Sequence, residues 1–114
     1  MDQEAVLKLD YLNKKRQFEE KEDDILFQRD QGIHDVEEVA DMTHYYLKDY
    51  VPDQEFIIQA VHKLDRLKEE VYEAAKQDRK QIERETEELD ETYYRALRTL
   101  SDQELAKKES DFGC

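Results

Sequence analysis

The sequence contains few of the residues that end or bend regular structure, with only two glycines and one proline among 114 residues. Strands that pair into a sheet need frequent turns, and turns depend on clusters of Gly, Pro, Asn and Asp. A chain so poor in these breaks cannot fold into many short elements. The composition therefore argues against a β-sheet protein and predicts an all-α fold.

Cysteine and long apolar runs are also scarce. The single cysteine, Cys114, follows Gly113 and cannot form an internal disulfide, so we expect a solvated thiol whose main chemistry is an intermolecular disulfide in air. No stretch approaches the roughly 18 apolar residues of a membrane span, and the start Met1-Asp2-Gln3-Glu4 lacks the features of a signal peptide. We expect a cytosolic protein that does not insert into membranes.

Charge is abundant and mostly negative. The chain has 31 acidic and 18 basic residues, a formal charge of -13, and acids outnumber bases in both halves. Phosphate backbones would be repelled, so nucleic acid is not an expected partner and a basic or mixed-charge protein is favoured. The mean hydropathy is -1.09, yet the hydrophobic residues recur periodically, which indicates helices with one narrow apolar stripe.

Three copies of Asp-Gln-Glu, at residues 2–4, 53–55 and 102–104, each precede an apolar-periodic run. Aspartate caps the free N–H groups of a first helical turn, so each copy predicts a helix start. Pro52 makes the only strong break. The predicted order is a helix over 2–49, a turn over 49–53, a helix over 54–100, and a short helix or frayed tail over 101–114, within one domain. The tail follows from the capping-box pattern Ser101-Asp102-Gln103-Glu104.

Each predicted helix has one apolar stripe. A row with a seven-residue spacing in the first consists of Tyr11, Phe18, Ile25, Gly32, Val39 and Tyr46, with Leu7, Val36 and Tyr50 on the neighbouring row. The second stripe consists of Ile57, Val61, Leu64, Val71, Ala75, Ile82, Leu89, Tyr93, Ala96 and Leu100. Gly32 predicts a kink or local break in the first helix. The fold class is a long antiparallel two-helix hairpin, and the narrow stripes predict that an oligomer or a partner completes its core.

Aromatic residues supply the candidate contacts to that partner. In the pairs Tyr45-Tyr46 and Tyr93-Tyr94, we expect one ring to face the hairpin and the other to point about 100° around the helix, where a partner would lie. The alternative is that the outer rings only lie along the surface. The candidate partner-binding residues are Tyr11, Phe18, Tyr45, Tyr46, Tyr50, Tyr93, Tyr94 and Leu100.

Histidines offer the only candidate metal ligands. His44 and His62 lie nine residues to either side of Asp53, and Asp41 and Asp65 lie twelve, so a hairpin turn there could bring imidazoles and carboxylates together. The set lacks the second carboxylate pair of a di-metal bundle, and histidines beside a seam usually meet water or a hydrogen-bond partner. We therefore expect no metal and no cofactor, and His34 is a weaker candidate still.

No pattern for catalysis is present. The sequence has no Gly-rich phosphate loop, nucleophile elbow or zinc-type cysteine pair, so we expect a protein that is not an enzyme. An acidic cluster at Glu19, Glu20, Glu22, Asp23 and Asp24 is a further docking candidate for a basic partner, although such runs most often serve solubility.

An acidic chain of this length, arranged as a helical hairpin broken once near its middle, resembles the WXG-type small proteins of Gram-positive type VII secretion. It is more similar to the small helical accessory proteins encoded beside LXG toxins. The resemblance covers residues 5–100 in shape. Tyr50-Val51-Pro52 stands where a WXG protein has Trp-x-Gly, and Tyr45 to Asp49 and Phe18 to Glu22 match an aromatic-x-x-x-acid export pattern outside its usual C-terminal place.

This resemblance implies an adaptor that pairs with the long N-terminal helices of a toxin and targets it for export. Two alternatives stay open: the adaptor remains in the cytoplasm, or it leaves the cell with the toxin through a system that needs no signal peptide. The function that we expect is a non-catalytic helical adaptor or targeting chaperone, which would act as a homo- or hetero-oligomer with long amphipathic helices of a partner. The alternatives are a self-assembling structural coiled coil and an acidic inhibitor that mimics nucleic acid. A small metalloenzyme is the last alternative.

Overall fold

Two long α-helices make up the protein. In the computed structural model, which describes residues 2–49 and 54–112, with the backbone alone for 110–112, α1 spans Gln3–Leu47 and α2 spans Gln54–Phe112. Helix accounts for 97% of these residues, and none of them is in a strand. The predicted all-α helical hairpin is confirmed.

The helix ends agree with the capping signals where the structure describes them. The Glu4 N–H donates to Asp2 Oδ1 at 3.4 Å, and the Val6 N–H donates to the Asp2 carbonyl at 3.1 Å, so Asp2 caps α1 as expected. At the other end of α1 the Lys48 N–H donates to the His44 carbonyl at 3.2 Å. The predicted turn at Tyr50, Val51 and Pro52, and the cap at Asp53, lie outside the described residues.

Two expected interruptions do not occur. Helix α2 runs without a break through Ser101 to Phe112, so the restart at Ser101 is wrong, and residues 101–112 of the expected tail are helical. Leu105, Ala106, Lys107 and Lys108 all favour helix, and they outweigh the local capping signal. Helix α1 also continues through Gly32, which has no positive φ. Gly113 and Cys114 lie outside the described residues.

The chain divides into two compact units, each with a segment from both helices. Unit 1 comprises Met1–Lys21 and Gln81–Cys114, and unit 2 comprises Glu22–Lys80. Within unit 1, Tyr11 contacts Tyr93, and Glu4 lines a groove with residues up to Glu104. An earlier residue in α1 therefore meets a later residue in α2, and the two segments are antiparallel.

Unit 2 has the same antiparallel order. An ion pair of 3.2 Å joins Glu22 to Arg79, and a second ion pair of 3.2 Å joins Glu37 to Lys68. Between them, Gly32 lies against Val71: a Cβ at Gly32 would be 3.5 Å from a methyl carbon of Val71.

The core is small. The side chains that are only 6–8% exposed are Tyr11, Ile33, Val36, Ile57, Ala75 and Ile82, and no described side chain is completely buried. The accessible surface is 9443 Å², whereas a compact monomer of 13.8 kDa is expected to expose about 6,600 Å². In each unit the segments of the two helices bury a seam between them, and much apolar surface remains in contact with solvent.

The α1 row was predicted correctly only over its first four positions. Tyr11, Phe18, Ile25 and Gly32 lie inward, but Val39 and Tyr46 are 49% and 60% exposed. Ala40 and Leu47, which follow these two exposed positions, lie on the inner face instead, and Ile33 is buried beside Gly32. A straight α-helix drifts about 20° per heptad from a strict seven-residue repeat, so five heptads move the seam by about 100°, or one residue. The ten predicted positions of the α2 stripe are all buried or half-buried.

Candidate interaction surfaces

Two of the predicted partner-binding tyrosines, Tyr11 and Tyr93, pack against each other between the helices of unit 1. The Tyr11 and Tyr93 rings stack with centroids 4.0 Å apart and planes 8° from parallel. Tyr11 belongs to the core, and Tyr93 is half-buried against it. The Tyr11 ring is covered by α2 and is not part of the exposed surface, and its contact with a partner stays a prediction.

A polar cluster holds the Tyr11 hydroxyl between the helices. The hydroxyl donates to Asp90 Oδ1 at 2.5 Å and accepts from Lys15 Nζ at 3.0 Å, and Lys15 lies 3.6 Å from Asp90. The hydrogen bond to Asp90 raises the pKa of Tyr11, because ionisation would set two negative oxygens against each other. The hydrogen bond to Tyr11, followed by the charge of Asp90, raises the pKa of Lys15.

Sequence reasoning missed Lys15 and Asp90 because neither is apolar. The signal that could have found them is their place one helical turn from seam positions: Lys15 follows Tyr11 by four residues and Asp90 precedes Tyr93 by three. Such positions lie at the margin of the seam, where a long or polar side chain can reach across to the other helix.

The two tyrosine pairs behave differently. In the Tyr93-Tyr94 pair one ring faces α1, and Tyr94 is 55% exposed, as expected. In the Tyr45-Tyr46 pair both rings are exposed and meet edge to face with centroids 5.2 Å apart, so the expectation of one inward ring is wrong there. The drift of the α1 seam places Leu47 inward instead of Tyr46.

Of the remaining candidates, Phe18 and Leu100 are half-buried. The Lys21 ammonium lies 5.7 Å from the centroid of the Phe18 ring, so that ring already has a cationic neighbour. Leu100 lies at the edge of the unit 1 seam. Tyr50 lies outside the described residues.

Unit 1 has an open surface on each side of Leu100. One groove of about 550 Å³ is lined by Glu4, Tyr94, Leu97, Arg98, Leu100, Ser101 and Glu104. The other, of about 520 Å³, is lined by Gln3, Leu7, Thr92, Arg95, Ala96, Thr99, Leu100 and Gln103. Since the first residues of α1 reach only as far as Gln103 and Glu104, the part of α2 from Leu105 onward runs past the described start of α1. Leu105 is exposed there.

Unit 2 has a second open face. A groove of about 520 Å³ is lined by Val39, Thr43, Ala60, Lys63, Leu64, Arg66, Leu67 and Glu70. A smaller one of about 190 Å³ is lined by Ile25, Gln28, Arg29, Val71, Ala74, Ala75 and Asp78. Helical spacing puts Leu67 and Ala74 on the same side of α2, so both grooves open on one face of unit 2.

Part of the predicted acidic cluster has a structural role. The Glu22 carboxylate accepts from Arg79 at 3.2 Å and is half-buried, whereas Glu19, Glu20, Asp23 and Asp24 are exposed. In the described part of the chain, Arg79 Nε is a buried donor without a hydrogen-bond partner. A docking role of the cluster for a basic partner stays a prediction that rests on its four exposed carboxylates.

The histidines are exposed side chains at positions 34, 44 and 62. Across residues 2–49 and 54–109, no three His, Cys, Asp or Glu side chains are grouped in a way that could hold a metal ion. The expectation that the protein needs no metal stays a prediction. Among the described residues, neither helix is long and apolar enough to cross a membrane.

Comparisons with known proteins add no relative. A scan against protein-family models and searches of curated proteins and of solved structures found no match. Functional interpretation therefore depends on the surfaces of this chain.

Proposed function

We propose that this protein is a non-catalytic helical adaptor that binds an amphipathic helix of a partner protein along unit 1. The observation that carries the proposal is the exposed row formed by Tyr94, Arg98, Ser101 and Leu105. These residues follow one another by four, three and four positions, so they share one side of α2. A partner helix that lies along this row would cover the groove beside Leu100 and continue along α2 beyond the start of α1.

Burial and packing support this role. A two-helix seam leaves apolar side chains at its edge, and bundles normally enclose such a seam with three or four helices. Leu97 and Leu100 line the groove and are half-buried, and Tyr94 lines it as well and is 55% exposed. A large aromatic ring with a polar tip is the kind of side chain that dominates binding energy at protein interfaces.

Charge limits the kind of partner. The net charge of -13 repels phosphate backbones and attracts basic or mixed-charge surfaces, which increases the rate of encounter with such partners. Arg98 lies within the row and Glu4 and Glu104 lie at its margin. A fitting helix would therefore have an apolar stripe flanked by residues of both signs, with bases facing Glu4 and Glu104.

The finer proposal concerns the partner's identity. The resemblance to small accessory proteins of LXG toxins supports a partner that is the helical N-terminal region of such a toxin, with this chain serving as a targeting chaperone for type VII secretion. An acidic helical hairpin with exposed apolar side chains at the edge of its seam is consistent with that role. The proposal predicts that a protein encoded beside this chain has a long amphipathic N-terminal helical region and that the two co-purify.

The test is co-expression with that N-terminal region, followed by calorimetric titration of the purified proteins. Tyr94→Ala should weaken binding about tenfold or more, the loss typical of a hot-spot residue, while the Tm of the free chain stays nearly unchanged because the ring is exposed. Ending the chain after Glu104 should also weaken binding by removing Leu105. Tyr72→Ala is the matched control, since Tyr72 is an exposed tyrosine of unit 2.

Two results would contradict the proposal. Equal affinities of Tyr94→Ala and the unaltered chain would show that the partner does not use this row. Absence of binding to the helical N-terminal regions of all neighbouring gene products would count against the targeting role itself.

A further inference from the structure

Five residues on one side of α2 in unit 2 form a row that is nearly symmetric in spacing about its central residue. In order they are Ala60, Lys63, Leu67, Glu70 and Ala74. They follow one another at steps of three and four, so they lie in one row along the helix. Ala60, Lys63, Leu67 and Glu70 line the larger groove of unit 2, and Ala74 lines the smaller one. Leu67 at the centre is 44% exposed.

We propose that this face is a homodimer interface, in which α2 of one copy lies antiparallel to α2 of a second copy with the two Leu67 side chains at the twofold axis. A twofold axis brings a surface against itself, so each residue must fit the residue at the same distance on the other side of the axis. Ala60 and Ala74 are each seven residues from Leu67, about 10.5 Å along the helix, and would face each other. Their small side chains allow the two helices to approach closely.

Charge supplies the second match. Lys63 lies about 6 Å on one side of Leu67 and Glu70 about 4.5 Å on the other, so the rotation sets each lysine beside a glutamate of the other copy, twice per dimer. Both side chains are exposed, and among the described residues neither forms an ion pair. Dimerisation would therefore pair Lys63 of each copy with Glu70 of the other. No ion pair that already exists would have to break.

The net charge of -13 per copy opposes association, but its reach is limited. At physiological ionic strength the Debye length is about 8 Å, so charges spread over both chains are largely screened, whereas paired side chains in contact are screened much less. The row itself is neutral, because Lys63 and Glu70 cancel. The face is thus a place where two acidic chains can meet without direct repulsion along the row.

The chain as a whole leaves more surface exposed than one interface needs. The chain exposes about 2,800 Å² more than a compact monomer of its mass, and a standard interface buries about 800 Å² per partner. Val39 lines the same groove from α1 and is exposed, so it would add apolar contact beside Leu67. Dimerisation through unit 2 leaves the Tyr94 row of unit 1 to the adaptor function, and neither proposal depends on the other.

A second copy is favoured over an unrelated helix because the row complements itself. Ala60 and Ala74 are identical and equally distant from Leu67, and the opposite charges of Lys63 and Glu70 lie on opposite sides of it at distances that differ by only about 1.5 Å. The pairing of alanine with alanine, leucine with itself and lysine with glutamate makes the row complementary to itself, as a twofold interface must be.

A charge exchange tests the interface with the purified chain alone. Sedimentation equilibrium should show a monomer–dimer equilibrium. Lys63→Glu and Glu70→Lys should each weaken the dimer about tenfold, because each turns both symmetry-related pairs into repulsions. The double variant Lys63→Glu/Glu70→Lys should restore the dimer, since the exchanged charges meet again. The matched controls are Glu69→Lys and Lys76→Glu, two exposed residues seven apart on the opposite side of α2, which should leave the dimer unchanged.

Cross-linking tests the position of the axis. With Cys114→Ser to remove the native thiol, Leu67→Cys should form a disulfide-linked dimer under mild oxidation, because the two side chains meet at the axis. Glu69→Cys in the same background should not. A circular dichroism spectrum equal to that of the unaltered chain shows that each variant is folded.

Three outcomes would overturn the proposal. They are a chain that stays monomeric at every concentration, an oligomer that is insensitive to the single charge changes, and a double variant that remains as weak as the single ones. None of them bears on binding at Tyr94, which is measured with the partner protein.

Discussion

Replacing Gly32 with alanine should stabilise this protein, and the structure decides the sign. Gly32 lies inside α1 with no positive φ, so its backbone has no need of glycine's freedom. A Cβ built there would lie 3.5 and 3.9 Å from the two methyl carbons of Val71, which is ordinary van der Waals contact. Alanine therefore fits without displacing α2.

The magnitude follows from two contributions. Alanine in a helix interior is favoured over glycine by about 1 kcal/mol, mainly because the unfolded chain loses less conformational freedom. The half-buried methyl group adds part of the roughly 0.8 kcal/mol that a fully buried methylene contributes. Together they give about 1–1.5 kcal/mol, which for a chain of this size raises the Tm by roughly 3–6 °C.

Urea unfolding and thermal melts at one fixed protein concentration would measure the effect, since association makes the Tm depend on concentration. Gly32→Leu is the informative companion variant, because its side chain extends beyond Cβ into Val71 and should be less stable than Gly32→Ala. A Gly32→Ala protein that is less stable than the unaltered chain would refute the reasoning and show that the helices pass closer at this point than the structure has them.

Three further predictions concern the core, the polar cluster and metal. Ile82→Ala should cost about 2–4 kcal/mol of unfolding free energy, whereas Leu12→Ala, at an exposed position of the same unit, should cost under about 1 kcal/mol, as read from urea titrations. The raised pKa of Tyr11 means that the folded chain keeps this proton above the ordinary value of 10.0 while the unfolded chain loses it, so stability should fall as pH rises past 10. Urea titrations at pH 8 and 10.5 should show a smaller loss for Tyr11→Phe than for the unaltered chain; an equal loss would contradict the assignment. Excess EDTA should leave the Tm unchanged, and stoichiometric zinc that disappears in the double variant His44→Ala/His62→Ala would show that metal is needed.

Some structural features could not be read from the sequence because they depend on a balance over several residues. Ser101-Asp102-Gln103-Glu104 carries the residues of a capping box, yet α2 passes through it. A capping box competes with continued helix, and the helix-favouring residues after it decide the result. The same reasoning succeeded at Asp2, where the described chain has no helix before it to continue.

The sequence alone determined the class of fold. Few Gly and Pro residues and two periodic stripes sufficed for two long helices, and the ten α2 positions lie inward as expected, because hydrophobic periodicity is a local property that a helix preserves. The tertiary structure decided which residues meet. Over five heptads the α1 seam moves by one residue, so Tyr46 turns outward and Leu47 inward, and Lys15, Arg79 and Asp90 reach across between helices. Those positions depend on how the helical segments of each unit pack against each other, and neither stripe contains that information by itself.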